Sequence, residues 1–260
     1  MFKQKPDTFR LIFMLLAALA FLFIVAPLVG LFLSSNFPEL YATAIEKEVV
    51  SSIGITLFTA MMATLVSSLF VIPAAYLISR HEFKFKRLLI SIFDLPVVIP
   101  HTAAGIALLG IISRNTALGK TASMMGFDFV GTAVGISIAM AFVSIPFLFN
   151  AALSGFDAIP RKTELAALNL GASPLRVFFT ISLPLAWRAI IGGLVLMFAR
   201  GMSEFGAVII IAYHPMITPV LIFERFTTYG LAYSRPVAIL FILICLIVFF
   251  LLRLIKKERS

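Results

Sequence analysis

The sequence predicts an all-α membrane protein with six transmembrane helices and both termini in the cytoplasm. Three observations carry this: composition, six long apolar runs, and the placement of basic residues. Hydrophobic residues make up 61% of the 260 and charged residues 13%, against about 45–50% and about 25% in a soluble domain. A spanning helix needs ~20 mostly apolar residues, and six runs qualify, at 11–33, 51–78, 88–112, 130–155, 188–213 and 236–255. With the N terminus inside, fifteen of the 21 Lys and Arg residues fall at cytoplasmic ends and loops. They are Lys3, Lys5, Arg10, Arg80, Lys84, Lys86, Arg87, Arg161, Lys162, Arg176, Arg188, Arg253, Lys256, Lys257 and Arg259. Lys47, Arg114, Lys120, Arg225 and Arg235 fall outside, and Arg200 alone lies within a span. This asymmetry satisfies the positive-inside rule and makes the net charge of +9 a marker of topology. No soluble basic face remains to track a phosphate backbone, so membrane lipid, not nucleic acid, is the expected surroundings.

The first run follows Lys3, Lys5 and Arg10, as in a secretory signal, and Ala18-Leu19-Ala20 resembles a cleavage site. Its apolar stretch continues to Leu33, beyond a ~7–15-residue signal core, so it reads as an uncleaved span. Pro27, Pro73, Pro96, Pro100 and Pro146 fall within apolar runs, where each frees a carbonyl and tends to kink a helix. Pro96 and Pro100, four apart, predict an irregular stretch near the cytoplasmic end of the third span. Phe83 and Phe85 among Lys84, Lys86 and Arg87 read as an interfacial anchor before that span. In the fourth, Gly131 and Gly135 predict close helix packing. The single cysteine, Cys245, sits in an apolar run and supports neither a disulfide framework nor a cysteine metal cluster. His81, His101 and His214 have no second ligand at metal spacing and read as interfacial residues, so no metal site is expected. Asp94 reads equally as a vestibule or an interfacial residue.

The cytoplasmic stretch 156–187 is the most informative. Pro160 suits a helix first turn, Gly171 suits a C-terminal cap, and Ser173-Pro174 supplies an N-cap followed by a first-turn proline. Two short helices joined at Gly171 are predicted, the first exposing the small Ala166 and Ala167 to a partner surface. An amphipathic hairpin lying on the membrane would show the same punctuation.

Glu164-Leu165-Ala166-Ala167, Gly171 and Ile181-Ser182-Leu183-Pro184 resemble the EAA loop of the membrane-spanning subunits of bacterial and archaeal ABC importers. Leu165 after the glutamate and one additional residue before the glycine depart from the commonest form. That spacing is similar to importers of molybdate, tungstate and sulfate. The runs 198–207, with Phe198, Arg200, Glu204, Phe205 and Gly206, 95–105 and 218–223 resemble the same oxyanion permeases. Ser52-Ile53 with Thr56-Leu57, and Pro73-Ala74-Ala75-Tyr76 with Arg80, resemble importers more generally. The resemblance spans about residues 51–236. It implies the ABC importer permease fold as one transmembrane domain over 1–260, a multi-pass protein of the cell membrane. It further implies a coupling helix docking on an ATP-hydrolysing subunit through Glu164, Ala166, Ala167, Leu170, Gly171 and Ala172. A homodimer with two such subunits and an extracytoplasmic oxyanion-binding protein would follow.

Weighed without the family, Arg200 and Glu204 sit about midway along the fifth span, where a charge costs ~2.5–3.5 kcal/mol. Four residues apart, they share a helix face, but Arg before Glu is the poorer order for a helix pair, which points to partners on other helices. Two readings of this stretch, with Phe205, stand: part of an anion pathway or gate, or an ion pair locking helix packing or the subunit interface. No Gly-x-x-x-x-Gly-Lys-Ser/Thr loop occurs, so ATP and magnesium are expected on the partner and no cofactor on this chain. No nucleophile elbow, metalloprotease helix or intramembrane aspartate pair supports an enzyme. The reading is a permease subunit for molybdate or tungstate. The alternatives are the same machinery carrying sulfate, thiosulfate or another anion, or an ATP-independent secondary transporter, for which no convincing repeat is found.

Overall fold

A computed structural model describes the backbone of residues 8–257 and the side chains of 8–251. The orientation markers Lys3, Lys5 and Arg259, and the side chains of Arg253, Lys256 and Lys257, lie outside the described residues. The described chain is helical throughout: α1 (Thr8–Leu33), α2 (Phe37–Ala44), α3 (Lys47–Arg80), α4 (Lys86–Val98), α5 (His101–Ile112), α6 (Ala117–Met124) and α7 (Ala133–Asp157). There follow α8 (Arg161–Asn169), α9 (Pro174–Val177), a π turn (Phe178–Ser182), α10 (Leu183–Met202), α11 (Gly206–Ile211), α12 (Thr218–Tyr229) and α13 (Leu231–Lys257).

Five helical stretches are long and apolar enough to cross a membrane, and α4 with α5 passes the same test jointly, bent by 112° at its break. Packing shows where the bent pair runs. Phe93 of α4 stacks on Phe149 near the C-terminal end of α7 at 3.9 Å. Leu108 of α5 lines a groove with Ala133, Val134 and Ser137 at the opposite end of α7. The pair therefore touches α7 on both sides of its sharp bend, the geometry of a broken span or a re-entrant loop.

α7 lies against both α3 and α10, and small residues set how closely it can approach α10. A Cβ at Gly193 of α10 would fall 2.7 Å from the Ala151 Cβ, and one at Gly155 of α7 would fall 2.7 Å from the Ala189 Cβ. The predicted Gly131–Gly135 contact is different. Gly131 precedes α7, and a Cβ on Gly135 would meet the Phe129 carbonyl and Ile211. Two apolar cores are stacked along these helices. One contains Val71, Ala75, Leu148, Phe149, Phe156 and Ile190, and the other Ala60, Ile136, Met140, Met202, Val208 and Val220.

Most of the prolines in the apolar runs do not break their helices. Pro27, Pro73, Pro146 and Pro236 lie inside continuous helices. Pro100 instead holds Ile99 extended, at φ −76° and ψ 145°, because a residue before proline is disfavoured in the α region. The interruption therefore falls midway along the third span, at Ile99–Pro100, and not near its end as predicted; Pro96 stays within α4. The fifth predicted span, 188–213, is also not one helix. It runs from Pro174 to Met202, with Ser203–Phe205 separating it from the short α11, so that Arg200 and Glu204 lie at its C-terminal end and not midway along it as predicted.

Buried hydroxyls fasten α12 to α3. Thr56 Oγ1 accepts the Thr218 backbone N–H at 2.8 Å and lies 3.2 Å from Thr218 Oγ1, which is 3.3 Å from Ser52 Oγ. The Ser52/Thr56 and Thr218-Pro219 stretches singled out in the sequence thus meet. By contrast, α1 buries no residue against the rest of the chain.

Candidate functional site

The 156–187 loop is built as its punctuation predicts. Gly171, at φ +89°, ends α8 in the left-handed conformation that glycine adopts freely. The Gly171 N–H donates to Leu168 O and the Ala172 N–H to Ala167 O. The Ser173 hydroxyl accepts the Arg176 N–H at 3.3 Å and starts α9.

Glu164 is the residue that fixes this loop to the bundle. Its side chain turns inward, leaving the residue 5% exposed. Arg80, at the end of α3, donates from Nη2 to Oε1 at 2.7 Å and from Nε to both carboxylate oxygens at 2.9 Å. Ser182 Oγ donates at 2.6 Å, and Tyr76 OH reaches Oε2 at 3.3 Å. Arg80 also lies 5.6 Å from the centre of the Tyr76 ring. Burial pushes the Glu164 carboxyl up, but the donors Arg80, Ser182 and Tyr76 and the charge of Arg80 outweigh it and hold the group below its ordinary value.

Ser182 closes the π turn that follows α9, where the Leu183 N–H bonds Phe178 O. The next residue, Pro184, has no N–H to continue a regular ladder, and a widened turn is a common accommodation. The Ile-Ser-Leu-Pro stretch thereby delivers a hydroxyl to Glu164.

The other residues predicted to dock face outward. Ala166, Leu170 and Gly171 are exposed, Leu170 at 90%, while Ala167 and Ala172 are partly covered. Leu165 and Leu168 extend the same exposed apolar surface. Glu164 is therefore placed as the anchor beneath this surface, not on it. Arg80, Tyr76 and Ser182 were missed as its partners, although each lies in a stretch the sequence had marked.

A second polar cluster joins the start of α5 to the α10–α11 junction. Arg200, in the last turn of α10, places Nη2 3.0 Å from Glu204 Oε2. Glu204 is 0% exposed and lies in the break, not on the helix. Its Oε1 accepts the Ala207 N–H at 2.9 Å and so begins α11. The expected partner on another helix is His101, the first residue of α5. Arg200 Nη2 lies 2.9 Å from His101 Nε2, and His101 Nδ1 lies 3.2 Å from Glu204 Oε2. Arg200 Nη2 is equally close to His101 Nδ1, at 3.0 Å, and Glu204 Oε2 is buried between the two side chains without a hydrogen-bond donor of its own. His101 thus belongs to an ion cluster with Arg200 and Glu204, a contact that the sequence did not reveal.

Glycines bring these segments together. A Cβ on Gly206 would fall 2.9 Å from the His101 Cβ, and one on Gly105 would fall 2.9 Å from Ala207 O. Phe205 packs on Phe223 of α12, ring centres 5.0 Å apart. Asp94 is held by Asn150 Nδ2 at 2.6 Å. His81 sits at the end of α3 and His214 in the loop after α11.

The described residues thus form a helical bundle with five to six candidate membrane spans, a buried ion cluster at the ends of α5, α10 and α11, and a short helix hung from one end. The chain belongs to the family of binding-protein-dependent transport system inner membrane components, whose model matches residues 71–260. It is a transport permease and not an enzyme. Within that family it is 38% identical over 257 residues to the molybdate/tungstate transport system permease protein of Methanocaldococcus jannaschii, covering 99% of both chains. It is 39% identical over 260 residues to the protein of the same description from Pyrococcus furiosus, again covering 99% of both. A bacterial ABC transporter involved in alginate import has the same fold, with a TM-score of 0.75, 17% identity and 96% of each chain covered.

Proposed function

We propose that this chain forms the transmembrane pathway of an ATP-driven importer of molybdate and tungstate. Near-complete coverage by relatives bearing that description supports the cargo. The observation that carries the coupling reading is the exposed apolar surface of α8, held rigidly to α3 and the π turn through Glu164. A separate ATPase docking on Leu168, Leu170 and the small Ala166, Ala167, Gly171 and Ala172 would move α3 with it. The chain would act as one domain over 1–260, with both termini cytoplasmic as the basic residues require.

Two copies would enclose the pathway, with two ATP-binding subunits carrying ATP and magnesium and an extracytoplasmic binding protein delivering the oxyanion. Arg200, Glu204 and Phe205, with His101, would sit where the start of α5 moves against the α10–α11 junction, so that the ion cluster serves as the gate's hinge and meets the anion as it passes.

The test is reconstitution of the chain with its ATPase and binding protein in sealed vesicles. Tungstate uptake that requires ATP, and exceeds sulfate uptake, supports the proposal. Sulfate preference would reassign the cargo, and uptake without ATP or ATPase would overturn the mechanism.

A further inference from the structure

At the same end of the bundle as α8, the turn between α3 and α4 encloses a cavity of about 410 Å³. It is lined by Glu82, Phe83, Lys84, Lys86, Arg87 and Ile90. Its cations are unevenly matched. Lys86 Nζ is paired with Glu82 Oε1 at 2.7 Å. Lys84 lies over the Phe85 ring, 5.8 Å from its centre. Among the described residues, neither Lys84 nor the Arg87 guanidinium has a carboxylate partner. The hydrogen bond and charge of Lys86 do most to hold the Glu82 carboxyl below its ordinary value, and Arg161 of α8 and Arg87 add to it. The charge of Arg161, the first residue of α8, therefore reaches Glu82 in the turn.

The cavity's surroundings select its occupant. Leu88, Leu89, Ile92 and Leu95 are exposed along α4 below it, and Phe83 and Phe85 are exposed beside it. An apolar outward face ending in aromatics and unpaired cations matches the acyl chains, glycerol level and phosphate of one molecule. A soluble protein surface would satisfy the cations and leave the α4 face uncovered.

We infer that the turn formed by residues 82–87 holds the headgroup of an anionic phospholipid whose chains lie along α4.

The test is native mass spectrometry of the full chain released from vesicles of equal phosphatidylglycerol and phosphatidylcholine. The unaltered chain is expected to retain phosphatidylglycerol preferentially, and Lys84→Gln/Arg87→Gln to reduce that preference by at least about fivefold. Arg176→Gln/Arg188→Gln, which removes two cations elsewhere on the same end, is expected to keep it. Equal retention of the two lipids by the unaltered chain, no change in the Lys84/Arg87 variant, or an equal loss in the Arg176/Arg188 variant would overturn the assignment.

Discussion

Arg80 and Glu164, 84 residues apart in sequence, meet through two nitrogens of one guanidinium, with Nη2 2.7 Å and Nε 2.9 Å from the carboxylate. The pair joins the end of a 34-residue spanning helix to a helix of nine residues that has little core of its own. Because α8 buries Glu164 and no other residue, a force applied to its outer face passes into α3 largely through this contact.

Removing one partner of a buried pair costs about 3–5 kcal/mol when the other stays buried and charged. Glu164→Ala should therefore loosen α8, raising amide exchange across 161–177 while α7 and α10 stay protected. Arg80→Ala/Glu164→Ala should cost less than the two single changes together. Unchanged exchange in Glu164→Ala would remove the anchor role.

The pH dependence has a definite sign. Because the folded-state value of Glu164 is depressed, its contribution is present above the ordinary carboxyl value and is lost only as pH falls through the lower folded one. Protection of α8 should persist as pH descends through the usual carboxylate range and disappear below it. Loss at or above that range would contradict the direction.

Leu170 is exposed and supports nothing in its own chain, so Leu170→Asp should alter stability by no more than about 0.5 kcal/mol. It should weaken retention of the ATPase subunit at least about tenfold, equivalent to about 1.4 kcal/mol. Pull-down of the subunit at graded concentration measures this, and undiminished binding would take the docking surface elsewhere.

Arg200→Gln should reduce the yield of folded chain, because it leaves the buried Glu204 carboxylate without its guanidinium, with only the Ala207 N–H on Oε1 and His101 beside Oε2. Arg200→Gln/Glu204→Gln removes both charges and should recover folded protein. Uptake that stays low in the recovered double variant assigns transport work to the pair; uptake restored with folding makes it a packing device. Size-exclusion profiles and vesicle uptake, read together, separate the two.

Gly206→Ala places a methyl group against His101 at the meeting of the breaks and should cost about 1–3 kcal/mol. Gly54→Ala, whose added carbon meets nothing within 4 Å, is the control and should be neutral or stabilising. Thermal unfolding in one detergent compares them, and equal midpoints would deny that the contact is tight.

Local chemistry was legible in the sequence and distant contact was not. Pro160, Gly171 and Ser173 act on their own neighbours, so the 156–187 loop could be drawn residue by residue. Which way Glu164 points depends on Arg80 and Ser182, which no period or cap reveals. Pro100 announced a break, but placing it mid-span requires knowing that Pro96 is tolerated within α4. The break at Ser203–Phe205 carries no proline; its sign was Glu204 just ahead of Gly206, a carboxylate able to cap a new helix where a side chain would collide. His101 was passed over because histidine next to proline says nothing about what lies across the bundle.

The freedom of α1 has an evolutionary side. A helix with no fully buried residue and only Val25, Leu31 and Phe32 partly covered answers more to the bilayer than to a jigsaw of neighbours, so within this chain most apolar sequences of similar length would satisfy it. Kindred proteins should drift fastest there and diverge least around Gly105, Gly193 and Gly206, where one extra carbon has nowhere to go.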